Sequence, residues 1–127
     1  MTSTIFPRPN GVRSGVGIKP PRVPTLLLAG ANPVISVGAF DVCRVLFAAS
    51  VTGSARMRFG ASDGQRVTLV CSGNPVAAKL QNAPASQVQL DTAQLVDDWV
   101  PQIGDAISLV WDDRSALWLE TSRAYNG

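Results

Sequence analysis

The chain contains no histidine, only two cysteines and no long apolar run. Without histidine, it lacks the side chain most often used as a general base, zinc ligand or catalytic-triad member. No stretch approaches the roughly 20 apolar residues of a membrane-spanning helix, and no secretory signal peptide is recognisable. We therefore expect a protein made in a reducing cytoplasm, with no membrane partner, no metal site and no cofactor.

Acidic residues are absent from the first third of the sequence. Residues 1–40 carry four cations and no acid, whereas residues 41–127 carry seven basic and nine acidic side chains. The chain is thus a basic leader on a mildly acidic body, and its length of 127 residues suits one domain. A net charge of +2 does not by itself indicate a nucleic acid partner, and none is expected.

Residues 1–24 are rich in proline and glycine, so they are unsuited to a regular helix or sheet of their own. One interpretation is a floppy terminus. The interpretation we favour is an extended arm that becomes ordered along a partner, because a purely solvating tail would have few apolar side chains to dock. The candidate partner-binding residues of this arm are Ile5, Phe6, Arg8, Arg13, Ile18, Lys19 and Arg22.

Residues 25–127 show short alternating runs separated by turn residues, the pattern of β-strands. Asp63-Gly64 predicts a hairpin between "ARMRF" and "QRVTLVC", and residues 112–115 predict a second one between two aromatic strands. "VAAKLQ" and "VQLD" (88–91) are weaker candidates, and "TAQLVDDWVP" fits a short helix as well as a strand. With no repeat and no long helix, the pattern predicts an all-β body, an antiparallel β-sandwich or jelly roll.

No group of residues in the sequence indicates catalysis, so we do not expect an enzyme. Cys43 and Cys71 lie in strand-like runs and are expected to be buried free thiols. The pairs Asp97-Asp98 and Asp112-Asp113, with Asp105 and Glu120 nearby, are expected to be solvated, because a carboxylate site needs groups converging from different segments. "GVRSGVG" (11–17) lacks the strand, lysine and helix of a phosphate-binding loop.

Two further sets of residues allow more than one interpretation. Arg56 and Arg58 could hold a phosphate, but a solvated sheet face or an ion pair with another subunit is favoured. The three tryptophans could form a sugar-stacking platform, but core packing or a subunit interface is favoured, since aromatic residues flanking a hairpin commonly pair across strands. They are Trp99, Trp111 and Trp118.

The passages "DGQRVTLVCSGN" (63–74) and "GDAISLVWDDRSALWLETSR" (104–123) resemble a module found in virion proteins of tailed bacteriophages. That module has a Gly-Gln turn before a Thr-Leu strand, then a Gly-Asp turn, an aromatic strand and a closing Trp-x-Glu-x-x-Arg. The matching residues are Gly64, Gln65, Thr68, Leu69, Gly104, Asp105, Leu109, Trp111, Trp118, Glu120 and Arg123.

The resemblance implies a bacteriophage structural protein, because such modules occur in tail fibres, tailspikes, head fibres and capsid decoration proteins, typically as trimers. The compact body and basic arm favour a decoration (cement) protein on the capsid surface, with the major capsid protein and other copies of this chain as partners. The alternative is a tail-fibre or head-fibre module that recognises a host glycan through its tryptophans. A nucleic-acid-binding protein is a third possibility, and it predicts binding that weakens steeply with salt.

Overall fold

The computed structural model describes residues 23–82 and 92–126. This part of the chain is all-β, and its nine strands are β1 (Thr25–Leu28), β2 (Val34–Ile35), β3 (Val42–Phe47), β4 (Ser54–Met57), β5 (Arg66–Gly73), β6 (Lys79–Leu80), β7 (Ala93–Gln94), β8 (Ala106–Asp112) and β9 (Leu117–Ala124). The residues described contain no helix long and apolar enough to cross a membrane.

The strands follow from the alternation of apolar and polar residues. In β5, Val67, Leu69 and Cys71 are buried and the residues between them are half-exposed, as expected of a strand with one face on the core. The same alternation runs through β3 and β8. The inward residues of all the longer strands join one hydrophobic core.

The strands form a six-stranded sheet, in the order β1-β3-β5-β8-β9-β7, and a three-stranded sheet, in the order β2-β4-β6. The chain alternates between the two sheets, and β1, β3 and β5 lie side by side in parallel, as do β2, β4 and β6. Thr25 is therefore next to Arg44, which is next to Val70. This is the winding of a β-solenoid, with three successive turns of chain around one core.

The prediction of an antiparallel sandwich or jelly roll is therefore wrong in its detail, although the all-β class is confirmed. Inward and outward residues alternate identically in parallel and antiparallel strands, so the sequence pattern cannot separate them. The Asp63-Gly64 turn exists, with Gly64 at φ +82°, but it does not form a hairpin. It carries the chain from β4 in the small sheet to β5 in the large one.

The last two long strands do form the predicted antiparallel hairpin. β8 pairs with β5 on one side and with β9 on the other. Trp118 lies opposite Trp111, and the register shifts between Glu120 and Ser122, which marks a β-bulge. The prediction of two aromatic strands joined at residues 112–115 is confirmed, with β9 extending to Ala124.

Residues 92–99 close the side of the body between the two sheets. β7 pairs in parallel with β9, and Trp99 then exchanges two backbone hydrogen bonds with Leu80 of β6. The helical alternative for "TAQLVDDWVP" is wrong, because tertiary pairing with β9 and β6 holds this segment extended. The weak strand candidate "VAAKLQ" contains β6.

Three sequence predictions fall partly or wholly outside the described residues. The "VQLD" strand, all seven named arm residues and the phosphate-loop comparison at residues 11–17 lie there. The boundary of the body can be placed more closely, however. The carbonyl oxygens of Val23 and Pro24 accept hydrogen bonds from Arg44 Nη1 and Arg44 N at 3.2 and 2.8 Å, so the body includes both residues.

Candidate functional site

The residues on which the sequence resemblance rests make contacts that hold the fold together. Gln65 connects three segments, because its Nε2 donates to Gly38 O at 2.7 Å and its Oε1 accepts from Ala61 N at 2.6 Å. Thr68 Oγ1 lies 2.9 Å from Ser108 Oγ on the neighbouring strand. Leu69 and Leu109 are core residues.

The Gly104-Asp105 turn anchors the residues that follow β9. Asp105 is buried, and its carboxylate accepts hydrogen bonds from Gln102 N and Asn126 N at 2.9 and 2.7 Å. Gly104 N donates to Cys71 O. The expectation of a solvated Asp105 is wrong, because its oxygens hold backbone N–H groups that the turn would otherwise leave unpaired.

Glu120 and Arg123 form a partly buried ion pair that ties β9 to residues 96 and 97. Arg123 donates to both carboxylate oxygens of Glu120, at 2.6 and 2.7 Å, and to Asp97 Oδ1 and O at 3.0 Å. Glu120 also accepts from Val96 N at 2.9 Å. The Glu120 and Arg123 side chains are only 5% and 12% exposed, so the expectation of a solvated Glu120 is also wrong.

The β-bulge makes this pairing possible. In a regular strand, residues 120 and 123 would point to opposite faces of the sheet. Because the register shifts at the bulge, Glu120 lies opposite the inward residue Leu109 and Arg123 opposite the inward residue Ile107. The hydrogen bonds from Arg123 hold the pKa of Glu120 below its usual value, and those same bonds raise the pKa of Arg123.

All three tryptophans belong to the core. Trp99 and Trp118 are fully buried and Trp111 is 3% exposed. The rings of Trp111 and Trp118 pack at 5.5 Å between centroids, and Trp118 Nε1 donates to Arg58 O at 2.8 Å. The core interpretation therefore holds, and a sugar-stacking or subunit-contact role is wrong for these conformations, since no ring face is open to a ligand or another chain.

Trp99 differs from the other two tryptophans in one respect. Its Nε1 is buried and has no hydrogen-bond acceptor among the described residues. Its backbone is held by two hydrogen bonds with Leu80.

Arg56 and Arg58 alternate with the inward residues Ala55 and Met57, as predicted. Arg58 is exposed and Arg56 is half-exposed. Arg56 lies in β4 and Arg58 directly follows that strand, so the two side chains share the outer side of the small sheet. That the Arg58 side chain lies on a solvated sheet face remains a prediction. Arg56 does interact with another group.

The paired aspartates act as acceptors in turns. Asp98 accepts from Asn82 N and Lys79 Nζ, at 2.8 and 3.1 Å, and these bonds lower the pKa of Asp98. Asp113 Oδ1 accepts from Trp111 Nε1 at 2.6 Å. Ser115 Oγ donates to Asp112 at 2.7 Å and lowers its pKa. The two pairs hold separate loops rather than converging on a cleft.

Cys43 and Cys71 are free and buried, as predicted. Cys43 lies beside Leu69, and Cys71 lies beside Val45, so the two cysteines do not face each other. Burial, reinforced by nearby carboxylates, raises the pKa of both thiols, which disfavours the reactive thiolate.

One shallow concave region of the described surface, of about 500 Å³, is lined by Gly73, Asn74, Pro75, Gln102 and Ile103, none of which is titratable or nucleophilic. Another concave region contains Glu120, whose carboxylate is already bound by Arg123. Within residues 23–82 and 92–126, no cluster of three or more His, Cys, Asp or Glu side chains could hold a metal ion.

Comparisons with known protein families, with curated proteins and with solved structures return no match for this chain.

Proposed function

We propose that this chain is a structural protein of a bacteriophage virion. The observation that carries the proposal is that the residues on which the resemblance rests stabilise the fold. Gln65, Asp105, Trp118, Glu120 and Arg123 all bind other parts of the same chain, so the resemblance lies in residues that build a rigid body. A body whose polar side chains are committed to its own turns and strands suits a protein that binds by shape, and we do not propose an enzyme.

Within this class, we propose a capsid decoration protein that self-associates, as a trimer by the resemblance. A decoration protein that binds the assembled lattice and not the free subunit stabilises the shell by mass action. The basic arm supplies cations for an acidic capsid surface and apolar side chains for its grooves. The rigid body supplies the bulk that covers a junction between capsomers.

The glycan-binding alternative loses its main support. It required the tryptophan rings to be open to a sugar, and Trp111 and Trp118 are packed against each other inside the body. Replacing either by alanine would remove core volume, so loss of cell adsorption in such a variant would not distinguish recognition from misfolding.

Co-sedimentation with assembled capsids of the encoding phage tests the proposal. The full chain should pellet with shells and not with free capsid subunits. A chain lacking residues 1–22, which keeps Val23 and Pro24 for their bonds to Arg44, should stay folded and bind shells at least ~10-fold more weakly. Unchanged shell binding by this truncated chain would remove the arm from the account.

Point variants sharpen this test. Arg13→Glu and Lys19→Glu should each weaken shell binding more at low salt than at high salt, because screening reduces the contribution of exposed charges. Arg114→Glu is the matched control, since Arg114 is an exposed cation of the body, and it should bind as the unmodified chain does. Equal loss in all three variants would indicate a general charge effect and contradict a specific role for the arm.

A further inference from the structure

We propose that the open edge of β1 (Thr25–Leu28) binds residues 15–19 of the arm, which add to the six-stranded sheet as one more strand. β1 is the first strand of the large sheet and β2 is the first of the small one, so among the described residues each pairs on one side only. The last turn of the solenoid is covered instead, because β8 pairs with β5, and Trp99 exchanges two backbone hydrogen bonds with Leu80 of β6. An open strand edge is a site at which another extended segment can pair.

The hydrogen bonds between β1 and β3 show which backbone groups of this edge are free. Pro24 O accepts from Arg44 N at 2.8 Å. In a peptide unit the C=O and N–H point in opposite directions, and along a parallel strand successive residues alternate between facing the partner strand and facing away. The N–H and C=O groups of Thr25 and Leu27 therefore point away from β3, and they have no backbone partner among the described residues.

The edge lacks partners for its backbone rather than cover for its core. The inward residues of the first turn of the solenoid, Leu28 and Ile35, are only 3% and 0% exposed. Leu27, whose backbone faces the open side, is 66% exposed, and β1 contains no charged residue and no proline. Edge strands that stay open are commonly protected by charges, prolines or bulges. An edge without these features suits a pairing segment that has apolar side chains and no proline.

Residues 15–19 lie outside the described part of the chain, and their sequence, Gly-Val-Gly-Ile-Lys, suits this edge. The segment contains no proline, so each of its residues can donate a backbone hydrogen bond. Val16 and Ile18 are β-branched and alternate with glycine, which is the period of a strand. Pro20-Pro21 follows directly, and proline favours chain reversal when it is the second residue of a turn. A reversal there brings residues 15–19 antiparallel to β1.

The chain's own arm is a better occupant of the edge than a segment of another molecule. Residues 20–24 connect the segment to β1, a length within the range of about 2–5 residues that is common in β-hairpin loops. So short a connection gives an effective concentration on the order of millimolar. The inference goes beyond the proposed function and does not depend on it. If both hold, residues 1–14 are the part of the arm that is left to reach along a partner.

Amide hydrogen exchange of the full chain, followed by nuclear magnetic resonance, tests the inference. The N–H groups of Thr25 and Leu27 should exchange at least ~10-fold more slowly in the full chain than in the double variant Val16→Pro/Gly17→Pro. Because neighbouring residues of a strand face opposite sides, two adjacent prolines remove a donor that faces the edge in either register of pairing.

The matched control is Ser3→Pro/Thr4→Pro, which places the same pair of prolines earlier in the arm. In this control Thr25 and Leu27 should exchange as in the unmodified chain. Arg44 N, which donates to Pro24 O within the body, should stay protected in all three chains and so report that the body remains folded.

Equal exchange at Thr25 and Leu27 in the unmodified chain and in Val16→Pro/Gly17→Pro would overturn the inference, because residues 15–19 would then not hold the edge. Protection that develops only as the protein concentration is raised would assign the edge to a second copy and would also overturn it. No capsid is present in this measurement, so its failure is distinguishable from a failure of the co-sedimentation test.

Discussion

The ion pair between Glu120 and Arg123 gives the sharpest prediction about what stabilises the body. Arg123→Met keeps an apolar stem but removes the guanidinium, and it leaves the Glu120 carboxylate, 5% exposed, with the backbone N–H of Val96 as its remaining bond partner among those described. Breaking a buried pair by removing one partner costs about 3–5 kcal/mol. Because Asp97, the third member, is 75% exposed, water can reach the vacated site, and we expect a loss of about 2–3 kcal/mol.

Urea unfolding at pH 7 measures this loss, with Lys79→Met as the control. Lys79 pairs with Asp98 at 3.1 Å, but both side chains are about 40% exposed, so this variant should lose less than about 1 kcal/mol. The double variant Glu120→Gln/Arg123→Met should be at least as stable as Arg123→Met alone, because it removes the uncompensated charge. If the double variant lost as much stability as the single variants Glu120→Gln and Arg123→Met together, the pairing would be contradicted.

The pH dependence supplies an independent check on the same ion pair. Arg123 lowers the pKa of Glu120 in the folded chain, so the pair stabilises the fold above the ordinary carboxylate pKa and is lost as pH falls through the folded value. The difference in free energy of unfolding between the full chain and Arg123→Met should therefore become smaller as the pH is lowered below about 4.5. The reasoning would be refuted if this difference in free energy of unfolding were the same at pH 7 and pH 3. It would also be refuted if Arg123→Met were destabilised at pH 7 by no more than Lys79→Met.

Three further outcomes follow from local geometry. Gly64→Val should lower the free energy of unfolding by about 1–2 kcal/mol, because Gly64 has φ +82°, a backbone conformation that is strained for valine even though the turn is open. The melting temperature should fall accordingly, and an unchanged melting temperature would show that the turn relaxes freely. Gly60→Ala should cost about 1–3 kcal/mol, since a methyl group there overlaps the indole of Trp111, and unaltered near-ultraviolet circular dichroism would count against it. Cys43 and Cys71 should resist a thiol reagent at pH 8 until the chain is unfolded; rapid labelling of the folded chain would contradict their burial.

The sequence predicts the parts of this fold that depend on neighbouring residues. The β8–β9 hairpin is local, and its polar turn and aromatic strands are visible in the sequence. The parallel winding is not local, because it pairs strands 19 or more residues apart. The alternation of apolar and polar residues within one strand does not indicate which distant strand it pairs with. Successive turns of the solenoid also differ in length: the turn from Thr25 to Arg44 is shorter than the turn from Arg44 to Val70. The sequence therefore has no fixed repeat that would indicate a solenoid.

The contacts made by the residues on which the resemblance rests could not be predicted from the sequence either. Glu120 and Arg123 are three apart, a spacing that places them on opposite faces of a regular strand, and only the bulge brings them together. Asp105 was expected in solvent together with the paired aspartates, because no convergence of carboxylates is visible in the sequence, yet the residues after β9 fold back so that Asn126 N donates to its carboxylate. Burial of the tryptophans, in contrast, could be anticipated from their positions flanking a hairpin.

The neighbours of this chain in an intact particle test the central claim most directly. Virions of the phage that the proposal assigns as the source would be purified, cross-linked and digested, and the linked peptides would be identified by mass spectrometry. We expect the chain at a fixed ratio to the major capsid protein, with links from Lys19 to capsid peptides and few capsid links from Lys79 of the body. Its absence from purified virions, or links only to tail proteins, would contradict the account.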